Sequence, residues 1–156
     1  MPTIATHSII SQLKEQAIQA ITSDSRIATL LGASSQPLLG NVLFPYPKIP
    51  AEDTDLPTYL TVQVQLLPAS AESPWTRPRL VLTVFSSESH ILLSEEDHTV
   101  NRNDSLASLL DQTFSGNSSL GGLGPLTLVQ NREGFQEPSY YFRRLIYETR
   151  DWSPAL

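Results

Sequence analysis

With 156 residues, 40% hydrophobic and 17% charged, the chain is sized for one domain with a core of its own, and its composition excludes disorder. The absence of cysteine excludes disulfides, thiolate metal sites and cysteine nucleophiles. A net charge of -6 with lysine only at 14 and 48 argues against gripping nucleic acid by its phosphates, although an acidic surface lets DNA slide past without sticking.

The first element reads as a helix over residues 7–22. Ile9, Ile10, Leu13, Ala17, Ala20 and Ile21 recur at helical spacing and make one apolar stripe, with Thr6 or Ser8 placed to cap its start. Its other face carries one basic residue, Lys14, so a membrane-surface role is disfavoured and packing on a sheet is expected. A short second helix follows, capped by Asp24 or Ser25, with Ile27, Leu30 and Leu31 on its apolar side and Gly32 placed to end it. Residues 42–44 suit a short strand. Prolines at 45, 47, 50 and 57 then forbid a central strand or helix interior, and predict an extended surface arm made acidic by Glu52, Asp53 and Asp55. Those carboxylates lack the spacing of a calcium loop and read as solvated.

Residues 58–67 alternate Leu60, Val62, Val64 and Leu66 against Tyr59, Thr61, Gln63 and Gln65, which predicts a strand with one dry and one polar face. After a loop at 68–78 containing Trp75, residues 79–86 are apolar on both sides. Leu80, Leu82 and Val84 face one way, and Val81, Thr83 and Phe85 the other, as in a strand buried on two sides. Residues 87–103 read as a polar, flexible segment. Residues 104–114 read as a helix capped by Asn103 or Asp104, with Leu106, Leu109, Leu110 and Phe114 as its stripe. Residues 115–124 are a Gly/Ser connector, 126–130 a strand, 131–137 turn-like and 139–151 a long last strand. In that strand Tyr140, Phe142, Arg144, Ile146 and Glu148 share one face, and Tyr141, Arg143, Leu145, Tyr147 and Thr149 the other. Aromatics interleaved with arginines read as interface rather than core.

No catalytic, cofactor or metal constellation emerges. His7, His90 and His98 are the only histidines. Asp97 and His98 beside Glu95 and Glu96 lack the spacing of a zinc motif and read as a solvated run. There is no G-x-S-x-G elbow, and the Gly-Gly-Leu-Gly run at 121–124 lacks the Lys-Ser/Thr of a phosphate loop. Arg132, Arg143, Arg144 and Arg150 make no single stripe, because Arg143 and Arg144 point to opposite sides of a strand. The expectation is a protein that is not an enzyme. No apolar run reaches the ~20 residues that cross a bilayer, the N-terminal apolar run is too short for a signal peptide, and assembly in the cytosol is expected.

The order of elements resembles the tail terminator, or tail-completion, proteins of long-tailed bacteriophages and related tail-like particles. The likeness rests on Arg26-Ile27-Ala28-Thr29-Leu30-Leu31-Gly32, on Val42-Leu43-Phe44-Pro45, on Leu56-Pro57-Thr58-Tyr59-Leu60-Thr61-Val62, on the strand 80–86 followed by the helix 104–114, and on the aromatic and charged alternation from Tyr140 to Trp152. The segment 87–103 departs from the family by its greater length. The resemblance implies an α+β fold, a mainly antiparallel sheet of four to five strands flanked by helices, in a single ring-forming domain. It also implies a homo-oligomer, usually of six subunits, seated in the virion between the tail tube protein and a head-side connector, with DNA passing through the lumen, no membrane, no cofactor and no catalytic residues. Tyr141, Arg143, Arg144 and Tyr147 in the last strand and Glu52, Asp53 and Asp55 in the arm are the expected inter-subunit or partner contacts. The alternatives are another neck or head–tail connector protein, a tube-capping protein of a contractile injection system, or a monomeric α+β binding module.

Overall fold

A strand that is apolar on both sides belongs in the middle of a sheet with a layer on each face. The computed structural model, which describes residues 2–33, 35–68, 76–117 and 125–149 (side chains from residue 9 onward), places it there. In chain order the elements are α1 (Pro2–Thr22), α2 (Ser25–Leu30), β1 (Leu43–Phe44), β2 (Thr58–Pro68), β3 (Thr76–Ser87), β4 (Leu92–Glu95), β5 (His98–Asn101), α3 (Arg102–Phe114), β6 (Thr127–Gln136) and β7 (Tyr140–Glu148). The main sheet has five strands in the order β1-β2-β3-β7-β6, with β4 and β5 as a separate two-stranded ribbon. All pairs are antiparallel except β1 with β2, which is parallel. The chain is a single-domain α+β protein, as its pattern of elements predicted. The residues 69–75 with Trp75, the run 121–124 and residues 150–152 lie outside the described residues.

All three helices pack on one face of the sheet. Ile9, Leu13, Ala17 and Ile21 of α1, Ile27 of α2, and Leu106, Leu110 and Phe114 of α3 join Leu60, Val62, Leu80, Leu82, Val84, Leu145 and Tyr147 in the main core. Helix α1 begins at Pro2, so Thr6 and Ser8 lie within it rather than capping it. Asp24 caps α2 by accepting the Arg26 N–H at 2.9 Å, and Gly32 ends that helix region with φ +75°.

The second face carries its own aromatic cluster of Phe44, Tyr59, Phe85, Tyr140 and Phe142, with Leu56 packed against it. Tyr59 stacks on Phe85 at 5.0 Å and meets Phe44 edge-on at 5.7 Å. This corrects two expectations. The side of β2 carrying Tyr59 and Thr61 is not polar at its start, because both residues are buried. The last strand is core on both sides, because Leu145 and Tyr147 face the helices while Tyr140 and Phe142 enter the aromatic cluster.

The proline-rich residues 45–57 roof that cluster. Lys14 Nζ donates to the Pro45 carbonyl at 2.8 Å, Tyr59 Oη to the Lys48 carbonyl at 3.0 Å, and Tyr140 Oη to the Leu56 carbonyl at 2.6 Å. The arm is extended and acidic as expected, and it supplies half of the missing second layer.

Three further boundaries differ from expectation. Residues 87–103 contain the β4–β5 hairpin, turning at Glu96 in the left-handed region, φ +49°. Its strands have four residues each and mostly polar side chains, so no burial alternation announces them. Helix α3 starts at Arg102 and is capped by Asn101, whose side chain accepts the Asp104 N–H at 3.0 Å. Asn103 is instead buried, spanning Ser86 and Tyr141. Residues 131–137 are not a turn: β6 runs on to Gln136, paired to β7 throughout.

Candidate assembly surface

Most of the polar chemistry inside the molecule is spoken for. Ser86 Oγ donates to Asn103 Oδ1 at 2.7 Å, and Asn103 Nδ2 donates to the Tyr141 carbonyl at 3.1 Å. Thr58 Oγ1 lies 3.0 Å from Ser86 Oγ and 2.8 Å from His90 Nδ1. Each hydroxyl has one proton. With that of Ser86 given to Asn103, Thr58 must donate to Ser86, and His90 must donate its Nδ1–H to Thr58. The chain is fully ordered from His90 to Tyr141, ties β2, β3, α3 and β7 together, and leaves the Ser86 hydroxyl buried. Burial, with Arg102 beside it, holds the His90 imidazole below its ordinary pKa. Among the described residues no group of His, Asp or Glu is arranged to hold a metal ion, and no helix is long and apolar enough to cross a membrane.

The seven contact residues read from the sequence fall in three places. Tyr147 is fully buried and donates to Asp111 Oδ1 at 2.6 Å, so it offers no contact surface; burial next to that carboxylate pushes its phenol pKa up. Tyr141 and Arg143 lie on the helix side. The Arg143 guanidinium is occupied within the chain, by Asp104 Oδ1 at 2.9 Å, Asn131 Oδ1 at 2.6 Å and Glu133 Oε2 at 2.9 Å. Tyr141 is exposed and meets exposed Phe135 edge-on at 5.4 Å. The two aromatic rings rim a cavity of about 400 Å³ that also touches Asn101, Asn103 and Glu133.

Arg144 and the arm acids lie on the second face. Arg144 Nε donates to Thr83 Oγ1 at 3.3 Å, and its guanidinium carbon sits 5.2 Å from the Phe142 ring centroid. Arg132 approaches the same ring at 5.9 Å. Burial, and then the neighbouring Arg132, hold the Arg144 pKa below its ordinary value. Glu52, Asp53 and Asp55 are exposed, and Asp55 together with burial raises the pKa of Tyr140, burial being the larger cause.

Two features escaped the sequence reading. Arg132 and Arg144 share a face, which the turn expected at 131–137 concealed; the alternation of Arg132, Gly134 and Gln136 against Asn131, Glu133 and Phe135 was the available signal. Strand β6 is also an edge strand of ten residues with one side unpaired, exposing Val129 and Phe135. Unpaired edges of this length are ready surfaces for another chain.

A five-stranded sheet with helices on one face, a roofed aromatic cluster on the other and polar groups satisfied internally defines an α+β domain whose unspent features are surfaces. The YomW family model matches residues 14–149, and the chain belongs to that family. The fold is shared with a chain in the solved structure of the virion of a native gene transfer agent particle. The two have a TM-score of 0.59 and 15% sequence identity, over 90% of this chain and 95% of that one. No curated protein matches the sequence.

Proposed function

We propose that this chain is a structural protein of a phage or phage-like virion. In this reading it forms a ring of six that caps the tail tube, stops its growth and joins it to the head-side connector. The observation that carries the reading is the end-to-end likeness to a chain of a gene transfer agent virion, with almost nothing left over on either side. The order of elements that resembles tail terminators supports the finer role. The physical properties agree with it. The described polar groups are consumed in holding the fold together, while the β6 edge, the Phe135–Tyr141 rim and the arm are turned outward. A net charge of -6 suits a lumen through which DNA passes without binding.

The test is the mass of the purified protein by light scattering across concentration, with the same sample viewed by negative-stain microscopy. A discrete hexamer with a central hole is expected. Protein that stays monomeric, and still fails to cap purified tail tubes when added to them, overturns the reading in favour of a monomeric binding module.

A further inference from the structure

Arg132 on β6 and Arg144 on β7 are directly opposite each other in the strand register. Like charges so placed destabilise a strand pair. The sheet avoids this elsewhere: Arg79 meets Glu148 at 2.6 Å, and Arg143 meets Asp104 and Glu133. Among the described residues no carboxylate lies within ion-pair distance of Arg132 or Arg144. What holds the two guanidinium groups is the shared Phe142 ring, which orients them and supplies no negative charge beyond its π face.

The arm presents the reverse imbalance. Glu52, Asp53 and Asp55 are exposed, and no Lys or Arg among the described residues lies within ion-pair distance of them. Tyr140, bonded to the Leu56 carbonyl, and Leu56 itself, packed on the aromatic cluster, fix the end of the arm beside these acids. One chain therefore displays two uncompensated patches of opposite sign, neither of which satisfies the other within the same molecule.

We propose that residues 52–55 of one copy dock on the Arg132–Arg144 pair of a second copy. Guanidinium groups already oriented by an aromatic ring suit two-pronged capture of carboxylates and lose little freedom on binding. The two patches differ, so the contact is head-to-tail, and head-to-tail contacts extend until they close into a ring. This rests on the ring reading above and names the contact that would build it.

The experiment uses two charge-reversed proteins, R132E/R144E and E52R/D53R/D55R, with mass read by light scattering. The wild type is expected to assemble, and each variant alone to fall to the monomer. An equimolar mixture is expected to regain the wild-type mass, since only unlike neighbours then attract and a six-membered ring closes by alternation. Circular dichroism checks that each variant is folded. Should a reversed variant fail to fold, the neutral pair R132Q/R144Q and E52Q/D53N/D55N replaces it, with association expected to weaken about tenfold or more. Wild-type mass retained by both variants overturns the contact and leaves the ring standing. Folded monomeric variants that do not recover on mixing overturn the pairing in favour of separate partners for the two patches. A wild type monomeric both free and on tail tubes overturns the ring reading itself, and the contact with it.

Discussion

Single side chains in this molecule act at crowded crossings. Gly134 lies opposite Phe142, and a Cβ there would sit 2.7 Å from two atoms of that ring. Gly134→Ala must push the ring off the Arg132–Arg144 pair, and is expected to cost about 1–3 kcal/mol by denaturant unfolding; an unchanged midpoint would mean that the ring pivots freely. Tyr147→Phe removes a buried donor from Asp111 and is expected to cost about 1–2 kcal/mol, read the same way. His90 gives the pH dependence a sign. Its folded pKa is depressed below the ordinary 6.5, so below that value the unfolded chain takes up the proton first. Its contribution is therefore complete above about pH 6.5 and is lost as pH falls through the depressed folded value. Melting temperatures across that range should decline on the acid side, and His90→Asn, which keeps a donor for Thr58, should flatten the decline. At this scale the sequence was legible where one residue answered one local need, as with Asp24 before α2. It misled at α3, where Asn101 and Asn103 are equally good caps. The choice is made by Ser86 and Tyr141, far away in sequence, which require the Asn103 side chain.

Elements became legible in proportion to how much they bury. The stripe of α1 and the two-sided β3 were plain because hydrophobic spacing fixes both the type of element and its orientation. The β4–β5 hairpin and the second half of β6 were not, because their side chains are mostly exposed and their order comes from the strand they pair with. The arm was read correctly as extended, but its task was hidden: nothing local says that Tyr59 and Tyr140, buried from below, reach up to it. Removing both hydroxyls in Tyr59→Phe/Tyr140→Phe should cost about 1 kcal/mol for each bond lost. It should also make residues 45–57 the first site cut in limited proteolysis. Cleavage no faster than in the wild type would mean that the apolar contacts of Leu56 hold the arm without them.

The whole molecule is two-sided. One face of the sheet is sealed by helices. The other is sealed at one end by the arm and elsewhere lies under its own long side chains, Arg144 across Thr83 and Phe142 among them. The sequence announced a second apolar face that needed covering, and left open whether the chain or a copy of it would supply the cover. The answer is divided, because the aromatic half is covered from within and the charged half is left outward. Of the expected contact residues, Tyr147 was lost to the core and Arg143 to internal partners, since alternation along a strand tells which side a residue faces but not what awaits it there. If the outward half joins copies into a ring, assembly binds only the folded chain and should raise stability by mass action. The melting temperature should then climb with protein concentration, whereas a flat response would describe a protein that is stable alone.

The arm is gripped by its main chain. The bonds from Lys14, Tyr59 and Tyr140 end on carbonyl oxygens, which every amino acid possesses. The scaffold thus recognises the path of the arm and is blind to most of its letters. Between its anchor points the segment is free to be rewritten, by evolutionary drift toward a new neighbour or by an engineer grafting an epitope, while the domain beneath keeps its shape.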